Sequence, residues 1–288
     1  MRVVVIGAAG QLGSDLCNVL GERALPLTHQ QVDVNDPLGL LAVLRDARPD
    51  WVVNTAAFHR VDDCELDPER AFRLNAVAPW NVARAANEVG ARTCFVSTDY
   101  VYGRDVPEPR RPWVESDPPA PVNVYGTSKV AGEDLVRQAQ PEALIVRSAG
   151  LYGVRGSGKG WTFPQLMLHL AETRGAVRVV DDQVLSPTYT ADLAAVIVAL
   201  IEEGAAGLFH VVNDGYCSWY EFAKRTFEIA GARVDLAPQS TAEAGRRAAR
   251  PPWSALASER LPRPLRPWQE ALEEYLEKIG KVPAGRTR

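Results

Sequence analysis

The feature that most constrains the fold is a glycine-rich turn near the start of the chain. Residues 7–13 read GAAGQLG and directly follow the apolar run Val3–Ile6. After the turn, one face of a predicted helix carries Leu12, Leu16, Val19 and Leu20. Glycines at such a turn allow positive φ and let a pyrophosphate approach backbone N–H groups at the helix N-terminus. The turn predicts dinucleotide contacts at Gly7, Gly10, Gln11, Leu12 and Gly13, although three glycines spaced GxxGxxG could also serve only the turn itself.

The same strand-then-helix pattern recurs through the first half of the chain. Trp51–Asn54, Thr93–Ser97 and Leu144–Arg147 are short apolar runs without polar alternation, which is typical of strands buried on both faces. Helical periodicity follows Asp67-Pro68 and begins again near Val124. The pattern predicts an α/β fold with a doubly wound parallel sheet of the Rossmann type.

The second half has a mixed pattern. Val177–Val180 and Leu208–Val212 are predicted strands, separated by a helix over 190–203, and an amphipathic helix runs from about 267 to 279. We therefore expect a dinucleotide-binding domain over 1–150 and a smaller mixed α/β substrate-binding part over 151–288. Segments near 177–213 are expected to return to the Rossmann sheet. The glycine-rich stretch Val154–Trp161 is predicted to be a loop over the site.

Charge and composition indicate a small-molecule partner. The chain has 32 basic and 36 acidic side chains, a net charge of −4, so no positive field favours nucleic acid or an anionic membrane. No run of about 18 apolar residues predicts a membrane span or a secretion signal. The four cysteines form no C-x-x-C pair, which argues against a metal site and favours reduced thiols in the cytoplasm. A homodimer is left open.

The stretch after the predicted second strand bears on the choice of cofactor. Residues 27–31 read LTHQQ and lack the acidic side chain that usually binds the adenosine ribose of NAD. Thr28 and His29 could instead donate to a 2′-phosphate, so NADP(H) is favoured and NAD(H) stays open. Asp33 and Val34 are candidate adenine contacts, but Asp33 could equally be a turn residue.

Tyr125 and Lys129 are four residues apart and therefore share one face of the helix that begins near Val124. A carbonyl reductase must deliver a proton to oxygen, and a tyrosine does so readily at neutral pH when a nearby cation stabilises its phenolate. Lys129 supplies that cation and also reaches the nicotinamide ribose. Thr98, at the carboxyl end of a strand, is expected to hold the carbonyl oxygen, and the Ser97 hydroxyl is expected to face the nicotinamide.

Five segments together carry a family resemblance: GAAGQLG at 7–13, VNTAAFHRVDDCE at 53–65, STDYVYG at 97–103, NVYGTSKVAGE at 123–133 and DDQVLSPTYTADLA at 181–194. The chain resembles the extended short-chain dehydrogenases/reductases, most closely the dTDP-4-dehydrorhamnose reductases. The resemblance implies NADPH-dependent reduction of the 4-keto group of a dTDP-linked deoxysugar, giving dTDP-L-rhamnose. It places catalysis on Thr98, Tyr125 and Lys129, and cofactor contacts on Ala56 and Ala57. The substrate contacts that it implies are Val61, Thr98, Asp99, Tyr100, Gly150, Gln183 and Arg250.

Two departures from the family pattern concern the sugar site. Gly150 stands where the family often carries a tryptophan, and Trp253 stands where it carries an asparagine. Trp161 or Trp253 would have to supply any stacking surface from elsewhere in the chain. Two alternatives stay open: another nucleotide-sugar epimerase or ketoreductase of the superfamily, and a non-catalytic subunit resembling the regulatory subunit of methionine adenosyltransferase.

Overall fold

A computed structural model describes residues 1–156 and 160–282. In chain order the strands are β1 (Val3–Ile6), β2 (Ala24–Leu27), β3 (Trp51–Asn54), β4 (Arg92–Thr98), β5 (Leu144–Ser148), β6 (Leu151–Tyr152), β7 (Ala176–Val180), β8 (Val184–Leu185), β9 (Thr188–Tyr189), β10 (Gly207–His210), β11 (Cys217–Ser218) and β12 (Asp235–Gln239). The helices are α1 (Gln11–Leu20), α2 (Pro37–Ala47), α3 (Val61–Leu66), α4 (Pro68–Phe72), α5 (Ala78–Glu88), α6 (Val124–Ala139), α7 (Phe163–Arg174), α8 (Thr190–Glu202), α9 (Trp219–Ala230), α10 (Thr241–Ala244) and α11 (Trp268–Lys278).

The main sheet has six strands in the order β10-β5-β4-β3-β1-β2, and every neighbouring pair is parallel. Strand β1 lies between β2 and β3, so the winding of the chain reverses there. In open parallel sheets a crevice for ligands forms at such a reversal, outside the carboxyl ends of the strands. The predicted doubly wound parallel sheet is confirmed.

Helices cover both faces of this sheet. On one face, Leu16 of α1 and Ile197 of α8 join β1 in one buried cluster, and on the other Leu40 of α2 and Val82 of α5 join a second. Because α8 packs against α1, the second half of the chain completes the layer begun by the first helix. Val19, predicted on the buried face of α1, is instead 41% exposed, since Leu12, Leu16 and Leu20 occupy that face.

The rest of the second half forms its own core. Strand β7 pairs in parallel with β12, outside the main sheet, and α7, α9 and α11 pack around a cluster rich in aromatic side chains. Within 177–213, Gly207–His210 extends the main sheet beside β5, whereas Ala176–Val180 does not join it. The domain boundary at residue 150 stays a prediction. The predicted loop Val154–Trp161 includes residues 157–159, which lie outside the described residues.

Helices α4 and α5 are joined by a π-helical turn, Arg73–Val77, so the helix predicted after Asp67-Pro68 is continuous but locally widened. Such turns are rare overall, but where they occur they often lie at functional sites. Among the described helices, none combines the length and the apolar character that crossing a membrane requires.

Candidate active site

The glycine turn is held against the loop that follows β3. Gly7 has a φ of +83°, and a Cβ there would lie 2.5 Å from Thr55 Oγ1. A Cβ on Gly13 would lie 2.2 Å from the carbonyl oxygen of Gly7. Gly10, which precedes α1, donates its N–H to the same carbonyl at 2.8 Å. Packing alone therefore requires glycine at Gly7 and Gly13. The turn itself lies at the carboxyl edge of the sheet.

Gln11, the first residue of α1, has an unusual environment. Its Nε2 is buried and has no hydrogen-bond partner among the described residues, and its Cγ lies 3.3 Å from the position of a Cβ on Gly153. A buried donor without an acceptor is costly, and a helix N-terminus favours an anion. The unsatisfied Nε2 donor of Gln11 is therefore evidence that this turn fits the pyrophosphate of a dinucleotide.

The residues after β2 and β3 complete the same edge. Thr28 donates from its backbone nitrogen and its hydroxyl to Gln31 Oε1, at 2.9 and 3.0 Å, and His29 is exposed. Asp33 Oδ1 accepts from the backbone and side-chain nitrogens of Asn35, at 2.9 Å each, and these bonds hold the pKa of Asp33 below its ordinary value. Asp33 therefore takes part in a turn, and its predicted contact with adenine stays a prediction.

Three further predicted cofactor residues lie beside this turn. Ala56 donates its N–H to Asn54 Oδ1 at 3.0 Å, and its nitrogen lies 3.2 Å from the position of a Cβ on Gly7. Ala57 is the next residue and is half-buried. Val34 accepts at its carbonyl from Asn81 Nδ2 at 3.4 Å. These positions follow β2 and β3 at the carboxyl edge, next to the glycine turn.

Two glycines bring α6 into direct contact with backbone. A Cβ on Gly126 would lie 2.1 Å from the Tyr100 carbonyl oxygen, and a Cβ on Gly132 would lie 2.1 Å from the Asn75 carbonyl oxygen. Asn123 caps the helix by accepting from the Gly126 N–H at 2.8 Å. The helix therefore sits as close as it can to the segment after β4 and to the π-helical turn.

Tyr125 faces Thr98 from the first turn of α6. Burial raises the pKa of Tyr125 well above its ordinary value, and a hydrogen bond with Thr98 lowers it in part. Thr98 also donates from Oγ1 to Asp99 Oδ1 at 3.0 Å and accepts from the Tyr100 N–H at 3.2 Å. Tyr125 thus keeps its proton at neutral pH, and the predicted stabilisation of its phenolate by Lys129 stays a prediction.

Lys129 lies one turn further along α6 and is 1% exposed. Its Nζ donates to the Val96 carbonyl oxygen at 2.7 Å and lies 3.9 Å from the centroid of the Phe95 ring. Burial lowers the pKa of Lys129 to about 7, while the negative charge of Glu133 raises it. The Lys129 amine is consequently held against β4. Its protonation at neutral pH depends on burial and on the charge of Glu133.

Ser97 does not present a free hydroxyl toward the cofactor edge. Its Oγ donates to Glu133 Oε1 at 2.5 Å, and Arg147 binds the same carboxylate through Nε at 2.8 Å and Nη2 at 2.6 Å. Burial would raise the pKa of Glu133, but the bonds and charge of Arg147 outweigh it and hold the pKa below its ordinary value. Sequence reasoning missed Glu133, although its spacing of four residues from Lys129 was a usable signal.

A small cavity opens beside Thr98. Its lining includes four of the predicted substrate residues, Asp99, Tyr100, Gly150 and Gln183, together with Trp219 and Ser254. Asp99 accepts from Ser254 Oγ at 2.6 Å, and burial raises its pKa to about 6. Gln183 donates from Nε2 to Thr241 Oγ1 at 2.8 Å. The cavity lining thus combines these polar groups with the indole of Trp219 and the apolar side chains of Val184 and Leu185.

Two aromatic side chains line this cavity, Tyr100 and Trp219, and sequence reasoning missed Trp219. Gly150 has a φ of +52°, a conformation that L side chains rarely adopt, and a Cβ there would lie 2.5 Å from Leu185 Cδ1, so a tryptophan at this position would be strained. Trp253 is 5% exposed and donates from its indole nitrogen to the Arg111 carbonyl at 2.8 Å, away from the cavity. Trp161 is 46% exposed and packs on the His169 ring at 4.0 Å.

Arg250 lies near the cavity but is already bonded. Its Nη2 donates to Asp62 Oδ2 at 2.9 Å, and its Nη1 donates to the Ala248 carbonyl at 2.9 Å. Burial raises the pKa of Tyr100, and the charge of Arg250 lowers it in part. The guanidinium therefore acts electrostatically on Tyr100, which lines the cavity. Val61, the residue before Asp62, begins α3 and is half-buried. A phosphate group would have to compete with Asp62 for this guanidinium.

Comparison with known proteins places this geometry in a family. Residues 1–280 match the family model described as the RmlD substrate binding domain. The chain belongs to this family. The resemblance inferred from the sequence motifs is thereby confirmed, and it extends across nearly the whole chain.

Members of the family and their close structural relatives are similar over almost their full length. The chain is 42% identical over 286 residues to a dTDP-4-dehydrorhamnose reductase of Mycobacterium tuberculosis, covering 96% of this chain and 92% of the relative. It is 38% identical over 282 residues to the spore coat polysaccharide biosynthesis protein SpsK of Bacillus subtilis, covering 96% and 97%. A dTDP-4-dehydrorhamnose reductase structure from Bacillus anthracis, in complex with NADP, matches with a TM-score of 0.91 and 37% identity, covering 96% and 99%.

Proposed function

We propose that this protein reduces the 4-keto group of dTDP-4-dehydrorhamnose to give dTDP-L-rhamnose, using NADPH. The observation that carries the proposal is the buried trio of Thr98, Tyr125 and Lys129 beside a small cavity at the carboxyl edge of the sheet. The 42% identity to a Mycobacterium tuberculosis protein of that name supports the choice of substrate.

The residues of the crevice suit the cofactor. The turn over 7–13 would bind the pyrophosphate through backbone N–H groups, and the buried Gln11 amide would find there the acceptor that it lacks. Thr28, next to the exposed His29, would lie near the adenosine end, with Val34, Ala56 and Ala57 flanking it. When bound, the reduced nicotinamide supplies a hydride to the carbonyl carbon of the sugar.

Tyr125 would act as the general acid. The phenol holds a proton at neutral pH and can deliver it to the carbonyl oxygen as that oxygen gains negative charge. Burial raises the pKa of Tyr125, so this delivery needs a cation to stabilise the phenolate. Thr98, which bonds to Tyr125, would hold the same oxygen in place. The Lys129 ammonium would then stabilise the phenolate left behind until a proton from solvent replaces the one delivered.

The cavity would bind the sugar, and Arg250 the diphosphate. Asp99, Tyr100, Gly150 and Gln183 line the cavity and would contact the ring, and Trp219 would cover one face of it. Arg250, with Val61 nearby on α3, would exchange its bond to Asp62 for phosphate oxygens, since a guanidinium fork suits them.

We further propose that the enzyme works in the cytoplasm. Cys17, Cys64, Cys94 and Cys217 form no disulfide with one another in the structure, which accords with a reducing compartment. A homodimer stays a prediction, which light scattering on the purified protein would check.

The decisive experiment measures NADPH oxidation against a panel of dTDP- and UDP-linked 4-keto sugars, with NADH as the competing reductant. We expect turnover with dTDP-4-dehydrorhamnose, faster with NADPH than with NADH, and formation of dTDP-L-rhamnose identified by chromatography. The Tyr125→Phe variant is the matched control. Stoichiometric bound NAD in the purified protein, with no consumption of NADPH, would instead indicate an epimerase and contradict the proposal.

A further inference from the structure

Glu133 lies one helical turn beyond Lys129, and each of the two side chains is 1% exposed. Both are anchored to neighbouring residues of the same strand. Lys129 Nζ donates to the Val96 carbonyl at 2.7 Å, and Ser97 Oγ donates to Glu133 Oε1 at 2.5 Å. Side chains four residues apart lie on the same face of a helix, so the carboxylate and the amine both face β4 and are bonded to successive residues of that strand.

The Glu133 carboxylate is fixed from the adjacent strand. Arg147 of β5 is the register partner of Ser97 and binds both oxygens of Glu133, at 2.8 and 2.6 Å. A bidentate guanidinium pair of this kind keeps the carboxylate ionised and restricts its rotation. Glu133 is therefore a permanent, immobile negative charge in the interior.

The other charged and polar groups around this pair are accounted for among the described residues. Arg137, on the next turn of α6, reaches Glu133 Oε2 at 3.2 Å from a position that is 37% exposed. The Tyr102 hydroxyl accepts from Arg147 Nη1 at 2.6 Å. The π-helical turn contributes the neutral Asn75, which bonds to Ser128. Of these groups, Glu133 is the one whose charge acts appreciably on Lys129, and it raises a pKa that burial lowers.

We propose that Glu133 is a positioning residue of the reductase: its carboxylate, clamped by Ser97 and Arg147 next to the Val96 carbonyl that binds Lys129, favours the protonated form of the Lys129 amine. The role in turnover rests on the proposed function, because Lys129 matters there as the cation beside Tyr125. The electrostatic pairing itself does not depend on which substrate the protein reduces, and it is testable without any substrate.

The test is a direct titration of Lys129 by NMR. The chain has only five lysines, so a protein labelled with ¹³C at the lysine ε-carbon gives few signals, and the Lys129→Met variant identifies the one sought. In the Glu133→Gln variant we expect the pKa of Lys129 to fall by about one unit or more, since an opposite charge within a few ångströms shifts a pKa by one to three units. Arg137→Gln, which removes a partner of the same carboxylate, should leave the Lys129 titration within about 0.3 units.

Glu133→Gln leaves Arg147 buried without its counter-ion and for that reason can fail to fold. The double variant Glu133→Gln/Arg147→Gln removes both charges, and we expect the same fall in the Lys129 pKa. Glu133→Asp should restore most of it. An unchanged titration of Lys129 in whichever variant folds would overturn the proposal.

Turnover adds a second, separate readout. The alkaline limb of the pH profile of kcat/KM should move to lower pH in Glu133→Gln by the same amount as the Lys129 titration. If the wild-type protein oxidised no NADPH with any 4-keto sugar, the proposed function would fail, while the NMR titration would still decide whether Glu133 sets the charge of Lys129.

Discussion

Replacing Gly132 with alanine tests whether the close approach of α6 is needed for the chemistry. The added Cβ would lie 2.1 Å from the Asn75 carbonyl oxygen, and that oxygen belongs to backbone in the π-helical turn. Since real contacts of this kind are roughly 1 Å longer, α6 or the turn must move by about that distance, carrying Lys129 with it. A displacement of about 1 Å at a catalytic group costs about 100-fold in rate, which corresponds to about 2.7 kcal/mol.

The assay for Gly132→Ala is kcat/KM for NADPH oxidation, measured together with the thermal unfolding midpoint. Overpacking of this kind costs about 1–3 kcal/mol of stability, a decrease of several degrees, so the variant should stay folded at 25 °C. Thr127→Ala, an exposed change on the same helix, is the matched control and should keep near wild-type activity. Wild-type kcat/KM in Gly132→Ala would refute the argument that α6 is positioned by its glycines.

Three further changes test separate parts of the site. Tyr125→Phe should lower turnover by about 100-fold or more with unchanged NADPH affinity, and equal turnover would exclude Tyr125 as the acid. Gln11→Glu should raise the NADPH Kd by about tenfold or more in a fluorescence titration while preserving stability, because a carboxylate suits a helix N-terminus but repels pyrophosphate. Asp99 has a pKa raised to about 6, so its contribution to stability is present at low pH and lost as pH rises through 6. Between pH 4 and pH 8, the free energy of unfolding of Asp99→Asn in urea should therefore rise by about 3 kcal/mol relative to that of the wild type. The same pH dependence of unfolding in both proteins would contradict the burial argument.

Local patterning was sufficient for the parts of the fold that depend on near neighbours. The apolar runs at Val3–Ile6 and Trp51–Asn54 are strands with those same bounds, because a strand buried on both faces needs an uninterrupted apolar sequence. The spacing of Tyr125 and Lys129 likewise places both on α6, since helix geometry alone fixes the relation between positions four apart.

Contacts between distant residues were not predictable in this way. Ser97 meets Glu133 only because α6 crosses β4, and Arg250 meets Asp62 across 188 positions of the chain. Trp253 carries its indole into the interior to reach Arg111, whereas Trp219 arrives at the cavity from the start of α9. Nothing in a single sequence states which of several tryptophans faces a cavity, because that choice is made by tertiary packing.

Burial shifts the pKa values of the two central side chains in opposite directions. It raises the pKa of Tyr125, which makes the phenol a weaker acid, so proton delivery depends on a cation that stabilises the phenolate. It lowers the pKa of Lys129, the negative charge of Glu133 opposes that shift, and with both effects present the pKa is about 7. A buried cation so close to losing its proton needs a fixed anion nearby, and Glu133 occupies that position. The ion pair behind the site is thus part of the same electrostatic arrangement as the tyrosine in front of it.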